Sequence, residues 1–192
     1  MSHDGVFQLQ TLALALREQL ECRPARVCLL GGGPGAGLEH VDIGVTREVH
    51  TLDINADYLR ECAARHPQLD GVLRPGVCDL TAPEALLPPC DLLSCNLILE
   101  YTGLPDFFAL LERSPRPGRI SCVIQKNNAN SFVSVTETAH KLAALESLHT
   151  DIDAGELIAG LAGLGWRMAL QKSYALPNGK ELLRLDFTPE QD

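Results

Sequence analysis

The sequence has no run of lysine or arginine, no C-x-x-C pair and no repeat or low-complexity segment. Its longest apolar stretches fall far short of the ~18 residues a membrane-spanning helix needs. Each absence removes a class of function. With a net charge of −9 and no basic cluster, binding to nucleic acid phosphates is not expected. The seven cysteines (Cys22, Cys28, Cys62, Cys78, Cys90, Cys95 and Cys122) are odd in number and scattered. They read as free thiols of a reducing, cytoplasmic compartment rather than as a disulfide framework. The stretch Met1-Ser-His-Asp-Gly5 has neither a basic n-region nor a long apolar h-region, so no signal peptide is expected. His140 and His149 stand nine apart, and H-x-x-x-H and H-E-x-x-H do not occur, so no metal site is expected.

What is present is ordinary globular composition, 45% hydrophobic and 21% charged over 192 residues, enough for one domain with its own core. The expected organisation is a single domain over 1–192, with an N-terminal helical segment over 1–24 and a core over 25–188. Leu9, Leu12, Leu16 and Leu20 recur at helical spacing and predict a helix over Phe7–Glu21, ended by Pro24. Arg26-Val-Cys-Leu-Leu30 has no alternation, as in a strand buried on both faces. A glycine-rich loop and a short helix over Leu38–Ile43 follow. Glu48–Asp53 reads as a second strand and Ala56–His66 as a helix capped by Asn55. Val77–Leu80 reads as a third strand, with Pro83 opening a brief helix. Asp91–Ile98 and Arg119–Gln125 read as strands four and five, with a helix over Asp106–Arg113 between them. Lys126–Ser131 reads as a loop, with helices over Thr136–His149 and Ala154–Leu164. Strands over Trp166–Tyr174 and Glu181–Phe187 close the chain through Asn178-Gly179, a hairpin signal. Alternating strands and helices predict a doubly wound, Rossmann-like α/β fold: a seven-stranded, mostly parallel sheet with one antiparallel C-terminal strand and helices on both faces.

The chemistry concentrates in Gly31-Gly-Gly-Pro-Gly-Ala-Gly37 after the first strand. Glycines let backbone turn sharply and approach a ligand, and a helix start beyond them would offer free N–H groups. Asp53 ends the second strand about 20 residues on, where nucleotide-binding α/β folds hold a ribose diol; it also suits a helix cap. Gly31-x-Gly33-x-x-Ala36 satisfies a dinucleotide fingerprint, and Gly33-x-Gly35-x-Gly37 is a second register. No Gly-Lys-Ser/Thr follows, which excludes a P-loop.

The second register resembles motif I of class I S-adenosylmethionine-dependent methyltransferases. Cys78-Asp79-Leu80, Asp91–Tyr101, Arg116-Pro-Gly-Arg-Ile120, Gly163-Leu-Gly-Trp166 and the Asn178-Gly179 hairpin resemble that family's later segments, in order. The resemblance runs from Arg26 to Phe187. It implies S-adenosyl-L-methionine as cofactor and methyl transfer to a small-molecule acceptor by direct displacement. It further implies that Gly31, Gly32, Gly33, Gly35 and Gly37 hold the methionine end and that Asp53 with Ile54 holds the ribose. Asp79 with Leu80 would meet the adenine, and Asn96 would lie near the sulfonium. Where the family carries an acid two residues before the first motif glycine, this chain has Gly31. Glu100 and Tyr101, beyond strand four, are the candidate catalytic residues, alongside Gln125, Asn127 and Asn128 at the end of strand five. Each also reads as a helix-start acid, a packing residue or loop polarity. Other readings are transfer of the cofactor's aminocarboxypropyl arm or its cyclisation with methylthioadenosine as product, a non-catalytic scaffold, and a nicotinamide dehydrogenase. A homodimer is expected only in that two-fold dimers are the commonest oligomers.

Overall fold

The computed structural model describes residues 3–126 and 150–190. Helix α1 (His3–Gln19) opens the chain and tightens into a 3-10 turn, Leu20–Cys22. Then come β1 (Arg26–Leu30), β2 (Glu48–Asp53), α2 (Ala56–Arg65), β3 (Leu73–Val77) and β4 (Leu92–Asn96). The short α3 (Leu99–Thr102), α4 (Leu104–Arg113), β5 (Ile120–Lys126), α5 (Ala154–Gly163), β6 (Trp166–Ala175) and β7 (Glu181–Pro189) complete it. The strands form one sheet in the order β3-β2-β1-β4-β5-β7-β6. Strands β1 to β5 pair in parallel, and β7 runs antiparallel to both neighbours. This is the expected doubly wound α/β architecture. The one antiparallel strand lies inside the sheet and β6 forms the edge.

Side chains alternate across β1. Val27 and Leu29 join Leu16 of α1 and Cys62 of α2 in a core on one face. Cys28 and Leu30 join Phe107 and Leu110 of α4 and Leu157 and Leu161 of α5 on the other. The Asn55 side chain accepts the Asp57 amide hydrogen at 2.9 Å and starts α2. Asp153 accepts from the Glu156 amide at 2.9 Å and starts α5. All seven cysteines are free thiols, five of them buried. Among the described residues no helix is long and apolar enough to cross a membrane.

Three local expectations are corrected. The third strand is Leu73–Val77, and Cys78, Asp79 and Leu80 lie just beyond it. Its Arg74-Pro75-Gly76 hides the strand pattern, but Pro75 is tolerated because β3 is an edge strand. Pro83 opens only turns. The helix expected over Leu38–Ile43 is a single 3-10 turn, Leu38–His40, so the glycine loop has no helix dipole behind it. The expected helix over Thr136–His149, the loop beyond Lys126, and Asn127 and Asn128 lie outside the described residues.

Candidate functional site

The chain leaves β1 for β2 on one side of the sheet and crosses from β3 to β4 on the other. The switch point therefore falls between β1 and β4, where ligands of open α/β sheets bind. There Leu29, Leu30, Gly31, Gly32 and Gly33 face Ser94 and Asn96 across a cleft of about 180 Å³, roofed by Leu9 and Leu12 of α1. A larger hollow of about 300 Å³, bounded by Arg17, Arg23, His40 and Asp42, lies at the amino ends of β1 and β2. That is the wrong end of a parallel sheet for a ligand, so the smaller cleft is the better candidate.

The glycines divide by what surrounds them. Gly31, Gly33, Gly35 and Gly37 all have positive φ, from 49° to 92°, a region that side chains disfavour. A Cβ on Gly35 would lie 2.7 Å from Cys62 Sγ and 2.9 Å from His66 Nε2 of the α2 region. One on Gly37 would lie 2.9 Å from Leu16 Cβ of α1. A Cβ on Gly31 would strike Ile98. These three are required by packing. Gly33 differs: its nearest neighbour would be Gly31 O at 4.0 Å, so its backbone faces open space. It is the loop position a ligand can approach most closely.

Asp53 holds this loop in place. One carboxylate oxygen accepts the Gly33 amide hydrogen at 3.0 Å and the other the Asn55 amide hydrogen at 2.8 Å. The residue is 9% exposed. Each oxygen keeps a lone pair for a further donor. The next residue, Ile54, is 68% exposed and presents an uncovered apolar side chain beside the carboxylate. The Cys78 amide donates to Asp53 O at 3.0 Å, which brings the end of β3 alongside. Two residues on, Asp79 accepts from the Thr81 hydroxyl at 2.7 Å and amide at 3.0 Å. The Thr81 hydroxyl, then its amide, hold the Asp79 carboxyl below the usual range. Leu80 is buried in the core.

Thus Gly31, Gly32, Gly33 and Asn96 line the cleft, Asp53 grips its loop, and Ile54, Asp79 and Leu80 sit at the ends of β2 and β3. Gly35 and Gly37 turn into the packed interior. Glu100 and Tyr101 do not line the cleft. Glu100 is 2% exposed, and its carboxylate accepts the Gln125 amide hydrogen at 2.8 Å. Its carbonyl accepts from the Thr150 amide at 2.8 Å. Tyr101 is 47% exposed; partial burial, then the Glu100 and Tyr58 charges, push its phenol above the ordinary value. It stays protonated at neutral pH and can donate a hydrogen bond. Leu97, next to Asn96 and ahead of both Glu100 and Tyr101, has φ 53°, a strained conformation of the kind found beside functional sites.

Sequence reasoning missed Gln19. It stands at i+3 and i+4 from Leu16 and Ala15, inside the buried stripe of α1, and is 2% exposed. Its amide Nε2 donates to Asn96 Oδ1 at 2.9 Å, and its Oε1 accepts from the Ser94 hydroxyl at 2.8 Å. A polar residue in an apolar stripe was the available signal.

No protein-family model matches the sequence, and no curated protein matches it in sequence. Solved structures do match in shape. The N-methyltransferase NodS from Bradyrhizobium japonicum WM9 is 12% identical, with a TM-score of 0.67 covering 98% of this chain and 99% of that one. The 1,6-didemethyltoxoflavin-N1-methyltransferase of Burkholderia thailandensis, solved with 1,6-didemethyltoxoflavin and S-adenosylhomocysteine, is 16% identical. Its TM-score is 0.69 over 95% of this chain and 79% of that one. The [4+2]-cyclase SpnF is 11% identical, with a TM-score of 0.66 over 93% of this chain and 82% of that one. At these identities the likeness establishes a methyltransferase-like Rossmann fold and no more than the fold.

Proposed function

We propose that the protein is a small S-adenosylmethionine-dependent methyltransferase acting on a small-molecule acceptor. The observation that carries the reading is the cleft at the β1–β4 switch point. There a glycine backbone open at Gly33 is held by the acid at the tip of β2. The residues suit that cofactor chemically. The remaining lone pairs of Asp53 accept from the two ribose hydroxyls, and Ile54 offers an apolar surface to the base. Asp79 and Leu80 border the adenine, and Gly31 to Gly33 with Asn96 receive the amino-acid end. The cleft of about 180 Å³ takes the amino-acid arm beneath Leu9 and Leu12, and the ribose and base lie outside it along Asp53, Ile54 and Asp79.

When bound, the sulfonium supplies an activated methyl group on a neutral leaving group. Alignment of the acceptor then supplies much of the rate, and no strong base is required. In this reading Tyr101 donates a hydrogen bond at the rim. Glu100 acts as a positioning residue, tying the turn after β4 to the end of β5 through Gln125 N. The test is turnover of S-adenosylmethionine on a pool of metabolites, with the nucleoside product identified by mass spectrometry. S-adenosylhomocysteine together with a methylated compound is the expected result. Methylthioadenosine would mean that another arm of the sulfonium reacts, and absence of turnover would count against the enzyme reading.

A further inference from the structure

The described lining of the glycine cleft contains no charged side chain. Its polar side chains are Ser94 and Asn96, on the face of β4 that Leu92 shares and that packs on α1. Both are bonded to Gln19. Burying an amide and a hydroxyl together is tolerated only when the partners satisfy one another. All three groups are joined in the arrangement the structure adopts. The Ser94 hydroxyl donates to Gln19 Oε1, which turns Gln19 Nε2 toward Asn96 Oδ1. The Asn96 oxygen is then engaged by the helix. Asn96 Nδ2 makes only a long 3.4 Å contact to Gln19 Oε1 and keeps donor capacity for the cleft.

We propose that Gln19 sets the polarity of Asn96 so that neutral amides, with no carboxylate, read the amino-acid arm of the cofactor. The inference rests on the cofactor reading above. Asn96 Nδ2–H meets the arm's carboxylate. The arm's ammonium is left to backbone carbonyls of the loop, because Gly31 stands where a side-chain acid is otherwise expected. Gln19 is a positioning residue: it acts through Asn96 and does not itself line the cleft. Helix α1 is then part of the specificity machinery as well as a roof.

The experiment is calorimetric titration of the full chain with S-adenosylhomocysteine and with methylthioadenosine, which shares the base, ribose and sulfur but lacks the amino-acid arm. Wild type is compared with Gln19→Met, which keeps length and helix propensity, and with Gln19→Glu. The Glu variant keeps an acceptor for Ser94 but has no hydrogen for Asn96 Oδ1. In both variants S-adenosylhomocysteine should weaken about tenfold, the scale of a lost hydrogen bond to a charged group. Methylthioadenosine should change less than about twofold. Melting curves identify either variant that fails to fold. Equal weakening of both ligands in a folded variant would mean that Gln19 merely docks α1, and no change in either would also overturn the proposal. If wild type binds neither ligand, the cofactor reading itself fails. That outcome is distinct from one in which both ligands bind and ignore Gln19.

Discussion

At the scale of single residues, the glycine loop separates into positions that serve the fold and one that serves a ligand. Gly37→Ala sets a Cβ 2.9 Å from Leu16 Cβ at a φ of 92°. It should destabilise the protein by about 2 kcal/mol or more through overpacking and backbone strain, read as a lowered melting temperature. Gly33→Ala meets only Gly31 O, at 4.0 Å, at a φ of 49°. It should cost only about 1–2 kcal/mol of left-handed strain and yet abolish detectable S-adenosylhomocysteine binding. If both variants lost stability alike and Gly33→Ala kept binding, Gly33 would not be the approach point. The positions of the loop and of Asp53 were legible because glycine and a strand-end acid have few other uses in that order. That Gly35 and Gly37 face inward was not legible, since the contacts come from α2 and α1, distant in sequence. Nor was the place of Glu100, whose carboxylate meets a backbone amide of β5: a buried acid and a helix-start acid look the same in one dimension.

At the scale of elements, α1 is fastened at its C-terminal end by a partly buried ionic network. Glu18 accepts from Lys172 Nζ and the Tyr174 hydroxyl, each at 2.8 Å, and from Arg184 Nη1 at 3.2 Å. Arg184 also makes a two-pronged pair with Asp186, at 2.8 and 2.6 Å, and Asp186 accepts from the Ser121 hydroxyl. Burial and the Glu18 carboxylate push the Tyr174 phenol up to about 12. Arg184→Leu would leave Asp186, 1% exposed, with only the Ser121 hydroxyl and the more distant Arg119 guanidinium, at 4.0 Å, to balance its charge. A loss of about 3–5 kcal/mol is expected from chemical denaturation. Burial raises the Glu18 pKa, but the hydrogen bonds of Lys172 and Tyr174 and the charges of Lys172 and Arg184 outweigh it and hold the pKa below 4.5. Its folded value lies below its unfolded one, so Glu18 contributes stability above the unfolded value that is lost as pH falls through the folded one. Wild type should therefore lose more stability than Glu18→Gln between about pH 6 and pH 3. Parallel curves would remove Glu18 from the account. Periodicity located α1 and the strands to within a few residues. It failed at β3, where proline and glycine occupy an edge strand, and at Leu38–His40, where the backbone turns extended at Val41 after a single turn.

At the scale of the whole molecule, the fold leaves its candidate ligand cleft small and roofed. Helix α1 covers the cleft with Leu9 and Leu12 while the network at Glu18 holds its C-terminal end. Binding to the native state alone then adds stability, about 2.7 kcal/mol at a ligand concentration of 100 times Kd, visible as a raised melting temperature with S-adenosylhomocysteine. The seven strands and the one antiparallel C-terminal strand were legible from alternation and from the Asn178-Gly179 turn; their order in the sheet was not, since it depends on which strands pair. The closure of the cleft was not, since it depends on where α1 lies in space. The central claim is that the cleft between β1 and β4 binds S-adenosylmethionine through Asp53. Calorimetric titration with S-adenosylmethionine and S-adenosylhomocysteine, on wild type and on Asp53→Ala, addresses it most directly. Micromolar binding by wild type and at least about tenfold weaker binding by the variant is the predicted result. Wild type binding neither ligand, or a folded Asp53→Ala binding both as tightly, would contradict it.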